Sequence, residues 1–168
     1  MICDLVLYWI LILLVVLVVF SLGGTIVMQS IEEKGLIIIR LFTDEDLIPA
    51  LKDICGQRRV QTAVVVSAIG QIKNFKLGYF DGEKYLVRDC PEVHELLSMS
   101  GIISRSPQGN GYDVHLHASV GRSDHQVLGG HLTQAVVQAT NEIVLLKTDL
   151  KVQRRFDQTT GLMGLILD

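Results

Sequence analysis

The sequence predicts an α+β domain built on a mostly antiparallel sheet. Three observations lead there. Runs rich in valine, isoleucine and aromatic residues recur between turn residues, about seven or eight of them. An Asp81-Gly82 pair joins two of these runs as a hairpin, and a hairpin makes its strands antiparallel. Only one segment, 43–56, carries both a helix start and a helix stop. Many strands against one helix is an α+β pattern.

Taken in order, "GLIIIRLF" (Gly35–Phe42) is dense in β-branched residues and reads as a strand. In "TDEDLIPALKDICG", Thr43 or Asp44 caps a helix, acids fill its first turn and Gly56 ends it. Pro49 fits only in that first turn, because further in it would remove a needed amide and clash with the preceding carbonyl. Leu47, Ile48, Leu51 and Ile54 then share the face that packs on the sheet. "TAVVVSAIG" (Thr62–Gly70) reads as a buried strand and "NFKLGYFDGEKYLVR" as the hairpin. "VHELLSMSGIIS" is a strand, since Gly101 and its β-forming neighbours argue against a helix. "SPQGNG" is a loop, and "YDVHLHASV" is a strand with clean alternation. "LTQAVVQATNEIVLLKTDL" is open in its first half: valine and isoleucine favour strand, alanine and glutamine permit helix. "GLMGLILD" closes the chain as a short strand. No internal repeat or low-complexity linker divides 28–168.

Residues 1–27 differ in kind. Leu5 to Phe20 is an unbroken apolar run, and no charge lies between Asp4 and Glu32. About 20 apolar residues cross a hydrocarbon core, so the segment reads as a membrane anchor with the domain in the cytosol. A secretory signal fits less well, because "MICD" lacks a basic residue. Met28 opens "MQSIEEKGLIIIRLF", a natural start for a small cytoplasmic domain, so 1–27 reads equally as an extension from a misplaced start codon. Of the 18 acids only Asp4 lies in 1–27, which leaves 17 acids against 15 bases and a net charge of −2 for 28–168. That balance supplies no global positive field to draw in nucleic acid. Cys3, Cys55 and Cys90 form no C-x-x-C, which argues against a disulfide framework or a thiolate zinc site and for reduced, buried thiols.

"VHLHASVGRSDHQVLGGHL" (Val114–Leu132) holds four of the five histidines. Side chains on a strand alternate faces. Asp113, His115, His117 and Ser119 therefore share one face, and Val114, Leu116, Ala118 and Val120 face the core. Two imidazoles at i and i+2 stand close enough for one ion, and His131 can supply a third nitrogen from the next segment. Gly129 and Gly130 let the backbone there turn sharply or approach closely. Three neutral imidazoles with an open fourth position describe a catalytic-type zinc site, although imidazole also suits copper, iron and nickel. A solvated strand face with scattered histidines is the plain alternative. His125 sits in a loop and reads as surface; His94 opens another strand.

The same stretch resembles the signature of the plants and prokaryotes conserved (PPC) domain: H-x-H, a short loop, then G-G-H-L. "VVVSAIGQI", "ELLSMSGIIS", "NEIVLL" and "RRFDQTTGLMGLIL" are similar to further segments of that family, in order, from about Met28 to Asp168. The resemblance implies a strongly bent antiparallel sheet with one or two packed helices, and a homotrimer. It implies a DNA-binding role, since plant members join the domain to an AT-hook; the R-G-R-P core of that hook is missing here. The fold also resembles acetolactate decarboxylase, whose zinc is held by three histidines including an H-x-H pair. Carried over, that makes His115, His117 and His131 the zinc ligands.

Two functions follow as expectations. A DNA-binding or regulatory module would use "KTDLKVQRR", with Lys147, Lys151, Arg154 and Arg155 against one acid, together with Arg58 and Arg59. A zinc-dependent enzyme of lyase or hydrolase type would act on a small carbonyl or carboxylate substrate, with Glu83, Glu92, Glu95 or Glu142 as acid/base partner. No nucleophile motif, P-loop or dinucleotide fingerprint is present.

Overall fold

The computed structural model describes residues 28–109 and 111–167. The apolar N-terminal segment lies outside the described residues. Among those described, no helix is long and apolar enough to cross a membrane.

Nine strands and one helix lie among the described residues. β1 (Gln29–Glu33) and β2 (Leu36–Phe42) form a hairpin, and α1 (Leu47–Gln57) follows. β3 (Thr62–Phe80), β4 (Tyr85–Cys90), β5 (His94–Arg105), β6 (Tyr112–Gly121) and β7 (Val127–Thr148) complete a seven-stranded antiparallel sheet. β8 (Val152–Asp157) and β9 (Leu162–Leu167) form a separate two-stranded ribbon.

The sheet is bent back on itself. β7 pairs with β6, β6 with β5, β5 with β3, and β3 again with β7, so four strands close a circuit. Two long strands make this possible. β3 runs for 19 residues and β7 for 22, and register shifts between Val65 and Leu77 let β3 curve. Gly101 is a fixed point of the bend: a Cβ there would collide with the backbone carbonyl of His115 on β6. The core lies inside, where Ile37, Ile39 and Leu41 of β2 and Leu116 and Val120 of β6 meet Leu47, Leu51 and Ile54 of α1, all essentially inaccessible. The four-residue helix face expected from the sequence packs there, with Ile48 at its partly buried margin.

Several local expectations need correcting. The helix starts at Leu47, two or three residues late, and no acid lies in its first turn. The acids have other partners. Glu45 accepts hydrogen bonds from the Met28 and Phe42 amides, both at 2.7 Å, and Asp44 turns left-handed (φ 70°) while its amide donates to the Val137 carbonyl. The stretch before the helix is thus a turn tied to β1, β2 and β7, and Asp46 takes the N-cap position. Pro49 does fall in the first turn. Gly56 lies inside the last turn, and the left-handed residue at the exit is Arg59 (φ 51°).

β1 was absent from the expected elements. Lys34 and Gly35, with φ of 50° and 83°, turn it tightly onto β2. Thr62–Gly70 and the first arm of the 74–88 hairpin are one continuous strand. The ambiguous first half of 132–150 is also strand, because it pairs with β3 from Leu132 to Val137 and with β2 from Thr140 on, ladders that a helix could not offer.

Candidate metal centre

β6 alternates as its sequence implies. Leu116, Ala118 and Val120 are buried, while His115 and Ser119 are half-buried and His117 is exposed on the opposite face. The register places His131 of β7 directly across from His117, and Gly130 across from Ala118. Gly129 and Gly130 form no turn; the strand runs straight through them. Gly130 serves close approach instead, since a Cβ would sit 2.8 Å from the Gly78 carbonyl oxygen of β3.

The three histidines therefore converge. One potential ligating nitrogen from each of His115, His117 and His131 lies within 4.8 Å of the others. Their ring centroids are 4.9–5.3 Å apart. His115 Nε2 and His117 Nε2 are 3.3 Å apart. Burial, then the Arg154 charge and the neighbouring imidazoles, push His115 down to about 4; burial and His117 also lower His131. His115 and His131 are thus held neutral at pH 7, the form that ligates a metal. His131 Nδ1 is buried and has no hydrogen-bond partner.

Two neighbours were not legible as part of this site. Tyr85 of β4 places its ring 5.4 Å from that of His131. Arg154 reaches in from β8: Nη2 lies 2.8 Å from His115 Nδ1, and Nη1 donates to the Met163 carbonyl at 3.0 Å. A guanidinium only donates, so His115 Nδ1 accepts. Neutral His115 then carries its proton on Nε2, which faces His117; ligation through Nε2 requires the other tautomer, with the proton on Nδ1 and Arg154 released. A cleft of about 720 Å³ opens beside this group.

The remaining candidates sit elsewhere. The six basic residues do not form one patch. Arg58, Arg59, Lys147 and Lys151 gather where the start of β3 meets the end of β7. There Lys147 Nζ pairs with Glu32 (3.0 Å) and bonds the Arg58 carbonyl, Arg58 bonds Ser30, and Arg59 and Lys151 are exposed. Arg154 belongs to the histidine cleft, and its exposed neighbour Arg155 reaches only Gln153, at 3.3 Å. None of Glu83, Glu92, Glu95 and Glu142 lines the cleft; its acid is Asp113. Asp124 pairs with Arg122 in the β6–β7 turn, where His125 is exposed. His94 is buried edge-on against Phe75, with ring centroids 5.0 Å apart.

The chain is similar to several known proteins. A metal-containing protein from Archaeoglobus fulgidus is 30% identical, with a TM-score of 0.71 over 83% of this chain and 98% of that one. A plant- and prokaryote-conserved protein from Pyrococcus horikoshii is 27% identical, with a TM-score of 0.69 over 86% of this chain and 98% of that one. A protein from Bacteroides thetaiotaomicron shares the fold at 23% identity, with a TM-score of 0.77 over 83% of this chain and 97% of its own. Among curated proteins, the bifunctional protein GlmU of two Synechococcus strains is 34% and 32% identical over 131 and 133 residues. Those matches take in 76% and 77% of this chain but only 19% and 20% of the relatives' length. The Plants and Prokaryotes Conserved (PCC) domain matches residues 28–149, and the chain belongs to that family.

Proposed function

We propose that this domain binds one transition-metal ion, zinc, through His115, His117 and His131. The convergence of their nitrogens carries the reading. Two nitrogens on one tetrahedral zinc ion, each about 2.0–2.1 Å from it, stand about 3.4 Å apart; His115 and His117 keep 3.3 Å. His115 and His131 are neutral, and the orphaned His131 Nδ1 suits a centre completed by a further group. Three protein ligands leave one position open, and a bound zinc would supply Lewis acidity there. The chain's own part is to hold the rings in register and to line the approach with Tyr85 and Arg154. Elemental analysis of the purified full chain tests this. Wild type should carry zinc near one per chain and His117→Ala should lose it. His117 is exposed, so its removal spares the core. A wild type free of metal after growth in zinc would end the proposal.

The cleft favours an enzymatic version, lyase- or hydrolase-like, acting on a small carbonyl or carboxylate compound at the open position. A DNA-binding or regulatory role rests on the exposed Arg59 and Lys151, with Arg155 apart from them. Such sparse cations need several copies aligned. A homotrimer would provide that, and the outer sheet face suits one. Ile31 opposite Ile38, and Leu36 beside Leu146 and Val64, form an exposed apolar stripe of the kind that marks an interface.

A further inference from the structure

The cleft beside the histidines holds a charge that the domain does not balance. Arg154 is half-buried, and no carboxylate pairs with it among the described residues. Of the five N–H groups of a guanidinium, one serves Met163 and one His115, while the Nε atom is buried without a partner. A cation withdrawn from water is costly unless an opposite charge meets it. Lys52 adds a second cation to the lining, and Asp113 is the acid there. Two cations against one acid leave one positive charge, which suits a monoanion better than a phosphate dianion. Much of the remaining lining is apolar: Ile48, Leu132, Phe156, Leu162 and Met163. A cleft of about 720 Å³ lies in the range that encloses a whole small molecule.

We propose that this cleft binds a small organic monocarboxylate, its anionic end at Arg154 and its carbon skeleton against Phe156, Leu162 and Met163. The site stands beside the metal reading and does not depend on it. Because Arg154 touches His115, the atoms next to the carboxylate face His115 and His131, which line the cleft.

Calorimetric titration of the full chain, chelator-treated and zinc-supplied in separate arms, tests the assignment. The probes are butyrate, 2-oxobutyrate, neutral butyramide and inorganic phosphate. Arg154→Gln is compared with Arg155→Gln, which removes the same charge from the next residue of the ribbon. Zinc content is measured in the same samples. Wild type should bind at least one acid and not butyramide. Arg154→Gln should weaken that binding at least tenfold, Arg155→Gln should leave it within twofold, and Arg154→Lys should fall between. Acid binding that depends on Arg154 in a protein that takes up no zinc even when supplied with it supports the site while removing the metal reading. The proposal is overturned by a wild type that binds neither acid, by butyramide binding equal to butyrate, by phosphate binding tighter than either acid, or by equal loss in the Arg154 and Arg155 variants. Loss of zinc together with acid in Arg154→Gln also overturns it, since Arg154 would then be positioning His115. If Arg154→Gln does not fold, the butyrate-to-butyramide ratio on wild type and the Arg154→Lys variant decide.

Discussion

Tyr112→Phe isolates a single buried hydroxyl. Tyr112 opens β6, 8% exposed, and its oxygen lies 2.9 Å from the carbonyl oxygens of both Cys55 and Val60, at the end of α1. The single O–H hydrogen serves these two acceptors between them, and since Cys55 O also accepts from the Val60 amide at 2.9 Å, Val60 O depends on it more. Val60 O loses the bond that satisfies it from this side. A net hydrogen bond contributes about 0.5–1.5 kcal/mol, and a buried carbonyl left unmet costs about 1–3 kcal/mol. The variant should therefore unfold about 1–3 kcal/mol more easily. The ring stays, so the surface exposed on unfolding, and with it the urea m-value, should not change. Urea titration followed by circular dichroism measures both. A loss below about 0.5 kcal/mol would mean that the hydroxyl does not anchor the helix end. A changed m-value would mean that the comparison no longer concerns one bond.

Gly130→Ala places a Cβ 2.8 Å from the Gly78 carbonyl oxygen, so β3 and β7 must part. Overpacking of this kind costs about 1–3 kcal/mol, and the urea midpoint should fall accordingly; a midpoint unchanged from wild type would refute the close approach. Burial raises the Cys55 thiol from 9.0 to about 12. Its folded-state value lies above its unfolded one, so the associated stability is full below about pH 9 and declines as pH climbs toward 12. Wild type should lose stability between pH 8 and 10.5 more steeply than Cys55→Ala, and parallel slopes would count against the assignment. The same burial should keep Cys55 unreactive toward iodoacetamide at pH 7.5 until the chain is unfolded.

What the sequence carried best was periodicity. Val114–Val120 alternates without exception, so the faces of His115 and His117 follow from a period of two. Helix α1 was legible from its apolar spacing, but its start was not, because Glu45 and Asp44 bond to residues distant in sequence. The position of His131 depended on the β6–β7 register, which the turn at 122–126 sets and composition does not. Arg154 was the hardest to place. On sequence it belongs to a run of bases, and only the folding of β8 against the sheet turns it toward His115. Its neighbour Arg155 has the same chemistry and faces the other way, as alternation along a strand requires, but the alternation does not say which of the two turns toward the histidines.

A ladder that returns to its own first rung has no end from which to fray. The circuit of β3, β5, β6 and β7 gives β6 a partner on each side, and neither neighbour can slide without dragging the other. The amides of Leu116 and Ala118 should thus exchange with deuterium only through opening of the whole domain. Any guest that meets these imidazoles finds them assembled beforehand, and the entropic cost of gathering them has already been met during folding.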